Sequence, residues 1–265
     1  NVPQYIALMH GPIMLGMKTG TEDMAHLIAD DSRFGQYASG KKLSTDQAPI
    51  LINNDIESIA NQLQPIPGKP LHFTLTTRME NPIHNELQPF FEIHDSRYMM
   101  YWLALSEDNY KGHLAQLAKA EQERQALEAS TIDKVQPGEQ QPETDHRMET
   151  DQSFTGNTND CFWRDANNGH YFSYLMQTQG QENIALRLKY WGVGEWKSHE
   201  FDIFVDDVLV KSVNNTGKYR ISEFKYEVYD IPAELLKGKT QVRVKFVAKP
   251  GKQIGEIYEV RLINK

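Results

Sequence analysis

Cys161 is the only cysteine in 265 residues, which excludes an internal disulfide and any thiolate metal cluster. A surplus of positive charge is missing too, since 28 Lys and Arg against 36 Asp and Glu leave a net charge of −8. Phosphate contacts need a concentrated basic face, so nucleic acid is not the expected partner and a neutral or polar ligand fits better. Nor does any apolar run approach the roughly 20 residues of a membrane-spanning helix. Residues 5–17 are broken by His10, Gly11, Pro12 and Gly16, so no membrane partner is expected. Internal repeats and low-complexity segments are lacking, which speaks against duplicated or solenoid architecture.

What is present is a hydrophobic fraction of 39%, enough for a core in one large or two ordinary domains. Residues 5–9 and 13–15 form apolar runs around Gly11-Pro12 and read as strand. A short helical turn is expected at residues 24–28, with turn and cap chemistry in Asp30-Asp31-Ser32-Arg33-Phe34-Gly35. Residues 50–52 read as a strand, and Ile56, Ile59, Ala60 and Leu63 share a helical spacing that Pro65 and Pro67 end. Leu71, Phe73 and Leu75 alternate with His72, Thr74 and Thr76 as in a half-buried strand, and residues 88–105 supply one or two more strands rich in aromatics. Asp108 or Asn109 can cap a helix running to about Glu128, with Tyr110, Leu114, Leu117 and Ala118 on the face expected to pack along a domain surface. Residues 131–147 then lose periodicity, and Pro137-Gly138 and Pro142 mark an extended connection.

From Asp151 onward the alternation is that of strands. Ile184, Leu186, Leu188 and Tyr190 share one face, as do Phe201, Ile203 and Val205 before a hairpin turn at Asp206-Asp207. Val208-Leu209-Val210 returns, Asn214-Asn215-Thr216-Gly217 turns again, and Val242, Val244, Phe246 and Ala248 alternate before a last strand at residues 260–263. The chain is therefore expected to be mainly β: a β-rich, sandwich-like domain over residues 1–106, a helix and extended linker over 107–145, and a β-sandwich of jelly-roll type over 146–265.

Chemistry-bearing constellations are few. Paired carboxylates such as Glu22-Asp23, Asp30-Asp31 and Glu107-Asp108 suit turns and caps, whereas a glycosidase needs two carboxyls facing each other at a set separation. His94-Asp95-Ser96 cannot meet as consecutive residues to form a triad, so His94 and Arg97 are read as structural hydrogen-bonders beside core residues Tyr98, Tyr101 and Trp102. The histidines show no metal-ligand spacing, and zinc is not indicated. Acidic turns leave a structural calcium as the one cofactor to consider. Cys161 reads as a small buried apolar residue. Aromatics make the best case for ligand contact, because sugar rings present apolar C–H faces to indoles. Trp191-Gly192-Val193-Gly194-Glu195-Trp196 could form a platform at a sandwich edge, with Trp191 alternatively ending a strand in the core. Trp163 and residues 171–174 carry the same two readings.

Gly11-Pro12-Ile13-Met14-Leu15, Asp30-Asp31-Ser32-Arg33, Phe90-Phe91-Glu92-Ile93-His94-Asp95-Ser96-Arg97-Tyr98-Met99-Met100-Tyr101-Trp102 and Pro137-Gly138-Glu139-Gln140-Gln141-Pro142-Glu143 together resemble one family over almost the whole chain. It is the C-terminal part of bacterial β-L-arabinofuranosidase-like glycoside hydrolases, families 127 and 146. The resemblance implies an (α/α)-barrel ahead of β-sandwich domains, with a zinc-bound cysteine nucleophile, further cysteines and a glutamate in that barrel. None of that apparatus maps onto this sequence, so the chain is expected to be a non-enzymatic accessory region whose partner is the barrel of the same polypeptide. Arabinose-containing plant glycans and export to a bacterial periplasm or the medium are implied in the same way. His94, Asp95, Arg97 and Tyr98 are then candidates for docking on the barrel or for structural roles, and Trp163, Trp191 and Trp196 for carbohydrate contact. The segment after His146 is also similar to galactose-binding-type jelly rolls, as in carbohydrate-binding modules. Two rivals are a purely structural docking module and an independent hydrolase using His94 and nearby carboxylates.

Overall fold

The computed structural model describes residues 4–22, 47–94, 96–158, 160–192 and 198–265. The helical turn expected at 24–28, the acidic turn after Ala29, Asp95 and Trp196 fall outside the described residues. The chain divides into two compact units, residues 1–122 and 123–265.

Among its described residues the first unit has ten short strands: β1 (Gln4–Ile6), β2 (Met9–His10), β3 (Ile13–Gly20), β4 (Ile50–Ile52), β5 (Leu63–Pro65), β6 (Phe73–Leu75), β7 (Arg78–Glu80), β8 (Leu87–Pro89), β9 (Arg97–Met99) and β10 (Trp102–Leu105). One sheet runs β1-β10-β4-β7 and the other β2-β3-β8-β6-β5, with β9 also on β3. β10 and β4 pair in parallel; the other pairs are antiparallel. Leu15, Met17, Leu51, Ile59, Leu75 and Trp102 form the core, all nearly inaccessible to solvent. The helical spacing after Ile56 becomes a 3-10 turn, Ile56–Gln62, whose first amides are capped by Asp55. Tyr98 and Tyr101 differ from expectation, being 47% and 54% exposed, while Trp102 is buried. Alternation along β9 turns Tyr98 away from half-buried Arg97 and Met99, and Tyr101 lies in the connection between β9 and β10.

Helix α1 (Glu107–Ser130) starts where expected, but Ser106 Oγ rather than Asp108 or Asn109 supplies the cap, accepting the Asn109 N–H at 3.3 Å. Only Tyr110 of its apolar stripe packs, against Ile50, Ile52, Leu103 and Leu105, whereas Leu114 and Leu117 stay exposed. The stripe is too sparse among Glu, Gln and Lys to need a cover.

The second unit contains β11 (Thr131–Val135), α2 (Gln140–Asp145), β12 (Glu149–Thr150), β13 (Phe154–Thr158), β14 (Cys161–Asp165), β15 (Tyr171–Gln177), β16 (Ile184–Trp191), β17 (Glu200–Val205), β18 (Val208–Asn214), β19 (Phe224–Asp230), α3 (Ala233–Leu236), β20 (Gln241–Ala248) and β21 (Ile257–Asn264). Its two sheets, β13-β14-β21-β16-β19 with β11 on β21, and β12-β15-β20-β17-β18, are antiparallel and close on one core. Leu186, Leu188 and Val260 from the first meet Phe172, Ile203 and Phe246 from the second, each inaccessible to solvent. The protein is mainly β, with two β-rich regions and a helical segment between them. One expectation changes: residues 131–147 are not wholly a connection. β11 is a strand of the sandwich, Val135 opposite Val260, and α2 buries Glu143.

Candidate functional site

The Pro137-to-Glu143 motif folds into a buried ionic network. Arg164 of β14 donates Nε and Nη2 to Glu143 Oε1 and Oε2, both at 2.6 Å, and Nη1 to Ser153 Oγ. Tyr174 Oη and the Gly138 N–H donate to the same carboxylate at 2.8 and 2.9 Å. Burial alone would raise the Glu143 carboxyl, but the Arg164 hydrogen bonds, helped by Gly138 and Tyr174, hold it below its ordinary value. Gly138 has φ +84°, and a Cβ there would come within 2.8 Å of the Trp163 carbonyl oxygen, so this position requires glycine. The motif therefore builds the sandwich.

The two described candidate tryptophans lie on one sheet face. Trp191 alternates along β16 with buried Tyr190, Leu188 and Leu186, and Trp163 precedes inward-pointing Arg164 on β14, so both side chains take the outer face with β21 between them. Trp191 meets Phe224 edge to face at 4.8 Å between ring centroids, and Phe224 meets Tyr258 at 5.1 Å in the same manner. Trp163 donates Nε1–H to Thr158 Oγ1 at 3.1 Å and meets Phe154 edge-on. Its indole lies across Gly156, where a Cβ would stand 2.3 Å from the ring. Trp163 is half-buried, fixed by a hydrogen bond at its edge and backed by bare backbone. Beyond this row, the Arg187 guanidinium sits 3.9 Å from the Tyr226 ring centroid and Lys189 Nζ 3.8 Å from that of Phe224. Lys189 Nζ is also 3.7 Å from Cys161 Sγ, and Cys161 is half-buried rather than a core residue. Tyr174 is wholly buried, whereas Tyr171 is half-buried.

In the first unit His94 is exposed, and Arg97 Nη2 donates to Glu22 Oε2 at 2.6 Å. Glu92 stands 3.7 Å from His72 Nε2, and Glu86 takes His72 Nδ1 and Lys69 Nζ. Glu92, two residues before His94, thus stands beside another histidine. Phe90, Phe91, Tyr98 and Tyr101 are exposed, with Phe90 and Phe91 edge to face.

For calcium, the acidic hairpin turn has most of its carboxylate oxygens already engaged. Asp206 Oδ2 accepts from Lys239 Nζ and Oδ1 from the Arg243 N–H, both at 2.7 Å, and Asp207 pairs with Lys245. Among the described residues no group of three or more His, Cys, Asp or Glu is assembled for a metal, and a calcium needs six to eight oxygens. Sequence reasoning missed the Glu143–Arg164 pair, for which Gly138 and Glu143 at fixed spacing were the available signal, and the glycine backing of Trp163.

These features define a mainly β protein with a β-sandwich in its second unit. The chain belongs to a family of unknown function, DUF6805, whose model matches residues 126–263. Residues 1–104 match DUF4986, described as a domain of unknown function. No curated protein matches. Among solved structures, a family 35 carbohydrate-binding module from Clostridium thermocellum is 11% identical, with 44% of this chain and 92% of that one covered and a TM-score of 0.35. The CBM36-1 domain of a multidomain xylanase from the hindgut metagenome of Trinervitermes trinervoides is 14% identical, covering 50% and 96%, with a TM-score of 0.35. A CBM36 module in complex with calcium and xylotriose is 12% identical, covering 49% and 99%, with a TM-score of 0.35.

Proposed function

We propose that the chain is a non-catalytic, carbohydrate-binding accessory region of a glycoside hydrolase. The observation that carries this reading is Trp163: a partly exposed indole held rigid by Thr158 and seated on Gly156. A preorganised aromatic face loses little conformational entropy when a sugar ring stacks on it. The motif resemblance supports a parent of the β-L-arabinofuranosidase type acting on arabinose-containing plant glycans, exported from a bacterium. Exposed Phe91, Tyr98 and Tyr101 offer the first unit an apolar surface for that parent's barrel.

Calorimetry with soluble arabinan tests the proposal. Binding should fall at least tenfold for Trp163→Ala, a loss of about 1.4 kcal/mol, while the variant keeps its cooperative unfolding. Equal affinity for both proteins removes Trp163 as the contact. The docking reading favoured by the exposed tyrosines has its own check: association with a separately expressed barrel should weaken on Tyr98→Ser plus Tyr101→Ser.

A further inference from the structure

The sheet face that carries Trp163 gathers positive charge, although the chain as a whole has a net charge of −8. Arg187 of β16 and Arg261 of β21 pair with Glu259 at 2.9 and 2.8 Å. Arg261 also reaches Glu128 at 2.9 Å, and Lys134 of β11, its cross-strand neighbour, reaches the same carboxylate at 3.5 Å. Three cations there share two carboxylates. Lys189 of β16 adds a fourth positive charge, and Glu259, which lies opposite it on β21, is already committed to the two arginines.

Lys189 carries the argument. Among the described residues its Nζ contacts the Cys161 sulfur at 3.7 Å and the Phe224 ring, 3.8 Å from the centroid, with no carboxylate among its partners. The residue is half-buried. An ammonium partly withdrawn from water without a counter-ion draws an anion more strongly than a solvated one does. Trp191 meets the same Phe224 ring, which places the Lys189 side chain on the outer face, where both it and Trp163 keep access to solvent. Cys161 stands two residues before Trp163 on β14, and such residues share a strand face roughly 7 Å apart. The ammonium beside Cys161 and the indole of Trp163 therefore border one stretch of open sheet, within the span of two linked sugar rings.

We infer that this face takes an anionic glycan, with one sugar ring stacked on Trp163 and an acidic group of the adjoining ring, a uronate carboxylate or a sulfate ester, paired with Lys189 Nζ. The inference rests on the carbohydrate-binding reading of Trp163 and narrows its ligands to acidic glycans.

Calorimetry on the whole chain compares three probes: an arabinogalactan bearing glucuronate, the same polymer with its carboxylates reduced to alcohols, and the reduced polymer after sulfation. The parent protein should bind at least one acidic polymer fivefold or more tighter than the reduced one, and added salt should shrink that preference. Whichever acidic form binds more tightly identifies the acid. The preference should vanish in Lys189→Met with affinity for the reduced polymer unchanged, and survive in Lys189→Arg; Lys189→Gln replaces Lys189→Met if that variant is poorly folded. Trp163→Ala should weaken all three probes alike. Equal affinity of the parent protein for acidic and reduced polymers overturns the inference, and leaves the stacking reading standing where Trp163→Ala still weakens binding. A preference that outlasts the loss of the Lys189 charge overturns it as well. A preference lost with that charge but untouched by Trp163→Ala keeps the anion contact and sinks the indole. No binding of any polymer or of arabinan overturns both.

Discussion

Removing the Glu143 carboxylate should unfold the second unit more readily than any surface change of similar size. Glu143→Ala leaves a guanidinium 8% exposed, a wholly buried phenol and the Gly138 amide without their shared acceptor. Breaking a buried pair by deleting one partner costs about 3–5 kcal/mol, mostly because the remaining charge stays buried and unpaired. With a urea dependence of about 1–3 kcal/mol per molar, the midpoint should fall by roughly 2 M at unchanged slope. Glu143→Met combined with Arg164→Met should recover much of the loss, since neither charge then needs solvation. The carboxyl is held below its ordinary value, so its contribution is present above pH 4.5 and is lost as pH falls through the lower folded pKa. Glu143→Gln should flatten that acid limb. A single-variant cost under about 1 kcal/mol, the range of exposed pairs, or a double variant as unstable as the single one, would refute the reasoning.

Two further outcomes follow from neighbouring groups. His146 directs Nε2 at Asp133 Oδ1 (3.1 Å) and Nδ1 at the Pro142 carbonyl (2.6 Å), two acceptors that only the doubly protonated ring can satisfy. The Asp133 hydrogen bond, opposed by burial and helped by Pro142, raises its pKa above 6.5. Its stabilisation is thus complete below that pH and lost as pH rises through the folded value, a dependence that thermal melts should show and His146→Gln should abolish. Gly156→Ala places a methyl 2.3 Å from the Trp163 ring, which should displace the indole, cost about 1–3 kcal/mol and speed hydrogen exchange at its N–H. An unchanged exchange rate would show that the ring does not depend on that glycine.

Much of the sandwich was legible in the chain. The period-two runs at Ile184 to Tyr190, Phe201 to Val205 and Val242 to Ala248 became β16, β17 and β20, and Asp206-Asp207 the turn at positive φ between β17 and β18. Such patterns are local, and backbone sterics fix which face each residue takes. Residues 131–147 were illegible because β11 finds its partner, β21, at the far end of the chain, and Glu143 has a reason to be buried only once Arg164 is beside it. The exposed Tyr98 escaped for the same cause: residue type alone does not say which side of a short strand the core occupies.

Sequence by itself determined the mainly β character and the turn positions. Tertiary structure alone decided that Trp163 and Trp191 share a face, that Gly156 and Thr158 hold one of them still, and that Glu143 is buried against Arg164. Those outcomes depend on which strands pair and what lies opposite, and pairing is settled by burial summed over the whole unit.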